Sequence, residues 1–310
     1  MSTTAVPSAA AQKQLKQGKV KKGIFSVIRH LVLALLAFIW LVPIAWLLLT
    51  SFSTDKGINF TRFVPESFTM WNYVSIMTQP DSVAQFPRWF MNTLVVACFN
   101  CVISTCFVLM VAYAISCCRF KGRKLLNTLF MAGLFINVNY IVVPIFLMLR
   151  DSDVWLKGHF GSGFLLNNLV VLAVVYAATA LPFTIYLLSG YFATLPHDFE
   201  EAAYIDGASY FSTMTRIIFP MAKPSIITII LFNFLSFWNE YIISMTLMSS
   251  TKAPRTLPVG LLNLMQAQQS AAQYGTMYAG LVLVMLPTLI LYICVQRQLT
   301  QGMTVGGLKG

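Results

Sequence analysis

Apolar residues in this chain fall into six long blocks, at roughly 31–50, 92–117, 125–149, 165–190, 225–248 and 275–296. Each is near the ~20 residues that a helix rising 1.5 Å per residue needs to cross a bilayer core of about 30 Å. The pattern predicts an all-α fold: a polytopic membrane protein of six transmembrane helices. Pro43, inside the first block, is tolerated in a membrane helix as a kink. The polar intervals divide the chain into a flexible basic tail over 1–23, a membrane domain over 24–296 and a second tail over 297–310. The longest interval, 51–90, carries Trp71, Tyr73, Trp89 and Phe90 as expected interface anchors. A basic turn runs from Arg119 to Lys124, and a loop at about 150–163 holds Arg150, Asp151 and Asp153. The interval 249–273 has Pro254, Pro258, Gln266, Gln268 and Gln269. It is too polar for lipid, so it either reaches toward a partner or serves as a solvated connector.

Composition sharpens this picture. Of 310 residues, 57% are hydrophobic and only 10% charged, and mean hydropathy is +0.73. Little chain is left for a catalytic domain outside the membrane. The net charge of +11 raises the question of nucleic acid. However, the basic residues flank the blocks, and no basic face with interleaved aromatics stands apart, so a nucleic-acid partner is excluded. With the N-terminus in the cytoplasm, fourteen of the 21 Lys and Arg fall on the inner side, among them Lys13, Lys16, Arg119, Lys124, Arg216 and Lys223. The positive-inside bias then puts both termini in the cytoplasm. The first block starts about 30 residues in and is long enough to remain as a span rather than a cleaved leader. Cys98 and Cys101 have zinc-like spacing, but neither a second pair nor a nearby His completes a site, so no metal is expected.

One inner segment breaks the apolar rule. Asp198, Glu200, Glu201 and Asp206 are four of the ten carboxylates in the chain, and they lie between two apolar blocks. Asp198 is placed to cap a short helix, with Glu201 three residues on and the acids suited to the helix dipole. Ala202 and Ala203 make that helix slim, and Gly207 supplies a permissive backbone for a turn. A second helical stretch then ends near Pro220. Such an element is shaped to sit in a groove of a soluble protein, although a partnerless surface loop would show the same pattern.

The spacing Glu201-Ala202-Ala203, Gly207, Ile217-Ile218-Phe219-Pro220 resembles the EAA motif of bacterial ABC-importer permeases, with Phe219 where Leu is usual. Trp238-Asn239-Glu240-Tyr241, Arg255 to Leu261 and the ending Gly302 to Gly310 extend the likeness, which is to the shorter, six-span permease of maltose-type carbohydrate importers. The resemblance implies a type I importer permease fold and a coupling loop over 196–224 that docks on a cytoplasmic ATPase dimer. Glu200, Glu201, Ala202, Ala203, Asp206, Gly207, Ile217 and Pro220 would be the coupling residues. It further implies a second permease subunit as heterodimer partner and an extracytoplasmic sugar-binding protein probed by the outer segment around 254–270. Gly302, Thr304, Gly306 and Lys309 would reach the ATPase. No phosphate-binding loop occurs in the sequence, so ATP and Mg are expected on the partner, with no cofactor on this chain.

Within the blocks, Glu240 is the only acid, which makes it a functional candidate by cost of burial alone. Trp238 and Asn239 beside it, and Asn233 seven residues earlier, complete a candidate substrate path, the alternative being a structural carboxylate. Asn92, Asn100, Asn137, Asn139, Asn167 and Asn168 are expected to bond between helices. The function expected is uptake of a sugar, a di- or oligosaccharide, through the inner membrane. Alternatives are a permease for glycerol 3-phosphate or a polyamine, or an ion-coupled secondary transporter. The lack of an internal repeat argues against the last.

Overall fold

The computed structural model describes residues 9–54, 64–78, 85–196, 198–250, 254–270 and 274–307, the side chains of 9–24, 267–270 and 297–307 lying outside the description. The described residues are almost entirely helical. α1 (Ala9–Ser51) runs through the first block and continues back into the polar tail. The tail from Ala9 onward is thus helical rather than irregular, as its Ala, Gln and Lys content favours. α2 (Trp71–Thr78) is a short helix in the first interval. α3 (Phe86–Cys117) is 32 residues long, hence about 48 Å from end to end. It starts six residues ahead of the expected span, with a proline in its first turn, where a missing N–H costs nothing. Trp89 and Phe90 therefore turn into the protein instead of anchoring at an interface. Trp89 is buried, and Phe90 packs edge-on against Trp238 at 5.4 Å. Trp71 remains exposed.

Two expected spans are broken. The third separates into α4 (Arg123–Gly133) and α5 (Val138–Phe160), bent by 103°. The Asn137 side chain ends the continuity by accepting from the Asn139 N–H at 2.9 Å, which caps α5. A Cβ on Gly133 would come 2.8 Å from Pro182 Cγ, so α4 lies close on the next span. α5 runs through the expected second loop as far as Phe160 and stops at Gly161, whose φ is +76°. There Asp153 is buried, with Lys157 Nζ at 2.7 Å and the Leu165 N–H donating to it at 2.8 Å. α6 (Leu169–Phe192) is capped by Asn168, which accepts from the Val170 N–H. Asn167 accepts from the Ser250 N–H. Asn137 and Asn168 thus cap their own helices, while Asn92, Asn100 and Asn167 do bond across the fold, to the carbonyls of Arg255 and Ala173 and the N–H of Ser250.

The second half continues with α7 (Asp198–Ile205), α8 (Tyr210–Thr213), a π-helical turn over Met214–Ile218 and α9 (Phe219–Met221). α10 (Lys223–Asn239) follows, with an 80° bend between Tyr210–Met221 and Lys223–Asn239. The expected fifth span stops at Asn239, and after Glu240 and Tyr241 it resumes as α11 (Ile242–Leu247). α12 (Leu257–Ser270) occupies the interval expected as a third loop, and α13 (Tyr274–Gly307) carries the last span into the tail.

Helices α3, α6 and α10 form the centre, and α1 lies outside against α13. Three buried clusters follow one another along α3. Phe86 and Trp89 meet Ile76, Trp238, Leu257, Leu264 and Ala279 at the α12 end. Val96 and Ala97 meet Leu172, Tyr176, Phe237 and Leu247 in the middle. Val108, Ala112 and Tyr113 meet Ile185, Phe192, Met214 and Ile218 at the α7 end. The core thus holds α7 and α12 at opposite ends of one packed column.

Candidate coupling and transport site

α7 has eight residues, too few to persist as a helix without tertiary support. Its ends show how it is held. The Gly207 N–H donates to the Tyr204 carbonyl at 3.1 Å and the Ala208 N–H to the Ala203 carbonyl at 2.9 Å, with Gly207 at φ +76°. This is a Schellman ending, in which the left-handed residue satisfies carbonyls that the helix would otherwise leave free. Beyond the turn, Ser209 accepts from the Ser212 N–H to cap α8. The rings of Tyr204 and Tyr210 meet edge-on at 5.1 Å across the elbow.

The eight coupling residues expected from sequence separate into two sets. Glu200 and Ala203, three apart and so on one face, are the two buried residues of α7. Behind them, at the end of α3, Cys117 and Cys118 lie within electrostatic reach of the Glu200 carboxylate. Burial raises the Cys118 thiol above its ordinary value, with the Glu200 charge adding to the rise and Arg123 opposing it. Glu201, Ala202, Asp206 and Gly207 face outward, together with Phe199 and Ile205, the latter 86% exposed. Ile217 is half-buried against the cluster at this end, and Pro220 lies at the surface. The π turn is closed by the Phe219 N–H donating to the Met214 carbonyl. The Tyr191 hydroxyl then fixes α9 to α6 through the Met221 carbonyl, at 3.2 Å. Sequence reasoning missed that Glu200 is an internal anchor. Its spacing from Ala203, inside a run otherwise free of apolar periodicity, was the only signal.

The substrate-path candidates are less uniform. Trp238 is wholly buried: its ring stacks on Phe234 at 5.5 Å and its Nε1–H donates to the Val284 carbonyl at 3.3 Å. Asn239 is exposed and donates to the Leu235 carbonyl. Asn233 is buried, its Nδ2 without a hydrogen-bond partner among the described residues. Glu240 does not lie within a helix. It sits at the break in extended backbone, φ −74° and ψ 127°, and accepts from the Ile243 N–H at 2.7 Å and the Ser244 N–H at 3.2 Å. The helical face shared by Asn233 and Glu240 therefore ends one residue short of the carboxylate. Gly302, Thr304 and Gly306 continue α13, while Lys309 lies outside the described residues. No group of three metal-ligating side chains occurs among the described residues.

Known proteins share this architecture. Residues 118–305 match the family described as "Binding-protein-dependent transport system inner membrane component". The diacetylchitobiose uptake system permease protein NgcG of Streptomyces coelicolor is 31% identical over 286 residues, covering 92% of this chain and 89% of that one. The galactooligosaccharides transport system permease protein GanQ of Bacillus subtilis is 30% identical, covering 94% and 98%. A chain from the crystal structure of a bacterial ABC transporter that imports the acidic polysaccharide alginate superposes with a TM-score of 0.68 at 25% identity, covering 95% of this chain and 99% of that one. The family match runs from the end of α3 into α13 and takes in α7, the π turn and the break at Glu240, so the chain belongs to the inner membrane components of binding-protein-dependent transport systems, the multi-pass permeases of ABC importers.

Proposed function

We propose that this permease is one of two membrane-spanning subunits of an ATP-driven importer for a di- or oligosaccharide, with both termini and α7 in the cytoplasm. The outward face of α7 carries the reading. Phe199, Ala202 and Ile205 form an apolar strip beside Glu201 and Asp206, and none of the described residues covers it. Burying a side chain such as Ile205 in a partner's cleft is worth about 1.5–3 kcal/mol, and the two acids would select a basic rim. An ATPase dimer that uses ATP and Mg is the partner such an element suits, since this chain has no phosphate-binding loop of its own. Closure of that dimer would push α7, and Glu200 and Ala203 would pass the motion into α3 as a rigid-body shift. At the far end, α12 and the segment leading to it would meet the sugar-binding protein. The tail through Gly302, Thr304 and Gly306 to Lys309 would reach back to the ATPase. The substrate class rests on the relatives, whose names specify diacetylchitobiose uptake and galactooligosaccharides transport.

The test is reconstitution with the partner permease, ATPase and binding protein in proteoliposomes. Glu201→Lys is expected to reduce ATPase recovery on the complex and to abolish uptake, while leaving the permease folded in the membrane. Unaltered uptake by that variant, or uptake driven by an ion gradient without ATP, would refute the assignment.

A further inference from the structure

The break at Glu240 is joined to three other elements by hydrogen bonds. Its carboxylate holds the Ile243 and Ser244 N–H groups, at 2.7 and 3.2 Å. Ser244 Oγ shares a hydrogen bond with Thr256 Oγ1 at 2.8 Å. From the opposite side, the Leu257 N–H donates to Thr93 Oγ1 at 2.6 Å and Asn92 Nδ2 donates to the Arg255 carbonyl at 2.9 Å. Ser244, Thr256, Leu257 and Thr93 are each no more than 2% exposed. The segment Arg255–Leu257 is therefore clamped between α11 and α3 immediately before α12 begins.

These bonds have no ready substitutes. α11 has six residues and no other side-chain cap, so without the carboxylate its first N–H groups lose their acceptor. Ser244, Thr256 and Thr93 are shut away from water, which cannot replace a lost partner. Each oxygen of Glu240 accepts from one backbone amide of α11, so the carboxylate serves the helix start directly.

We propose that Glu240 is a positioning residue. By capping α11 it fixes Ser244 against Thr256, and so sets the pose in which Arg255–Leu257 and α12 meet the binding protein. This rests on the assignment of α12 to that partner. The assembled complex in proteoliposomes is titrated with its purified, cargo-loaded binding protein, and ATP hydrolysis is read. Glu240→Ala is expected to raise the half-stimulating concentration about fivefold, equivalent to about 1 kcal/mol and the usual size of a lost helix cap. The maximal rate should stay within about twofold, the signature of weakened binding rather than a weakened step. Ser244→Ala and Thr256→Val, which leave the carboxylate intact, should give the same shift. Glu240→Gln, which keeps one acceptor oxygen, should fall between wild type and Ala.

If Glu240→Ala lowers the maximal rate at an unchanged half-stimulating concentration, the positioning role is wrong. The same holds if Ser244→Ala and Thr256→Val behave as wild type. Should Glu240→Ala fail to assemble, the Ser244 and Thr256 variants decide alone. A wild-type complex that its binding protein does not stimulate would overturn the assignment of α12, and this proposal with it.

Discussion

Gly207 offers a quantitative test of how α7 is held. None of the described residues lies within 4 Å of a Cβ built at this position, so a side chain meets no clash among them. The constraint is the backbone: φ is +76°, and the Schellman bonds from Gly207 and Ala208 depend on it. A residue with a Cβ in the left-handed region costs about 1–2 kcal/mol, less for Asn, whose side chain bonds locally. A β-branched residue is a genuine outlier there. Gly207→Ala should therefore lower the held population of α7 about fivefold, at about 1 kcal/mol. Gly207→Asn should lose less than Ala, and Gly207→Val more. The assay is uptake per ATP hydrolysed in proteoliposomes, with hydrogen exchange at the amides of α7 as the local readout. The ranking is diagnostic because Asn is larger than Ala. If Gly207 mattered only through close approach of the ATPase, Asn would be the worse of the two. Equal loss with Ala and Asn, or unaltered coupling with Ala, would refute the backbone account.

Two further outcomes follow from packing. Glu200→Ala removes one of the two buried side chains that seat α7 on the end of α3. Loss of a buried contact costs about 0.5–3 kcal/mol, so faster hydrogen exchange in α7 is expected even before the ATPase is added, whereas Glu201→Lys should leave that exchange unaltered. A Cβ on Gly260 would overlap the Trp89 indole. Gly260→Ala should cost about 1–3 kcal/mol by overpacking, seen as a lower unfolding temperature in detergent, and combining it with Trp89→Phe should recover part of the loss.

The six apolar blocks could be read from sequence because crossing lipid demands length and apolarity, which are local properties. The breaks at Asn137 and Glu240 were not legible on those terms. A polar residue mid-block reads the same whether its side chain bonds a neighbouring helix or its own backbone two or three residues on. The interval that holds α12 was read as loop because Pro254, Pro258 and three glutamines dominate its composition. The apolar positions of α12 that do the packing, Leu257, Leu261 and Leu264, are few, and their partners Phe86, Trp89 and Ala279 are remote in sequence. In the coupling segment the spacing located the element and its glycine. It could not separate Glu200 from Glu201, because adjacent acids differ only in the direction that the helix gives them.

The placement of α1 bears on how the protein is made. From Phe25 to Thr50 none of its side chains is buried, and its contacts there are chiefly with α13, as where Trp46 meets Tyr278 edge-on at 5.4 Å. α1 thus leaves the ribosome well before its mate α13 has been synthesised. Between Ser51 and Tyr274 that interval is roughly 10 to 45 s at about 5–20 residues per second. Throughout it, α1 is held chiefly by lipid, with only its end at Ser51 tied to α2 through Tyr73 and Asn72. Its unbroken ring of Leu, Ile, Phe and Trp is what such a wait demands, and its docking onto α13 closes assembly.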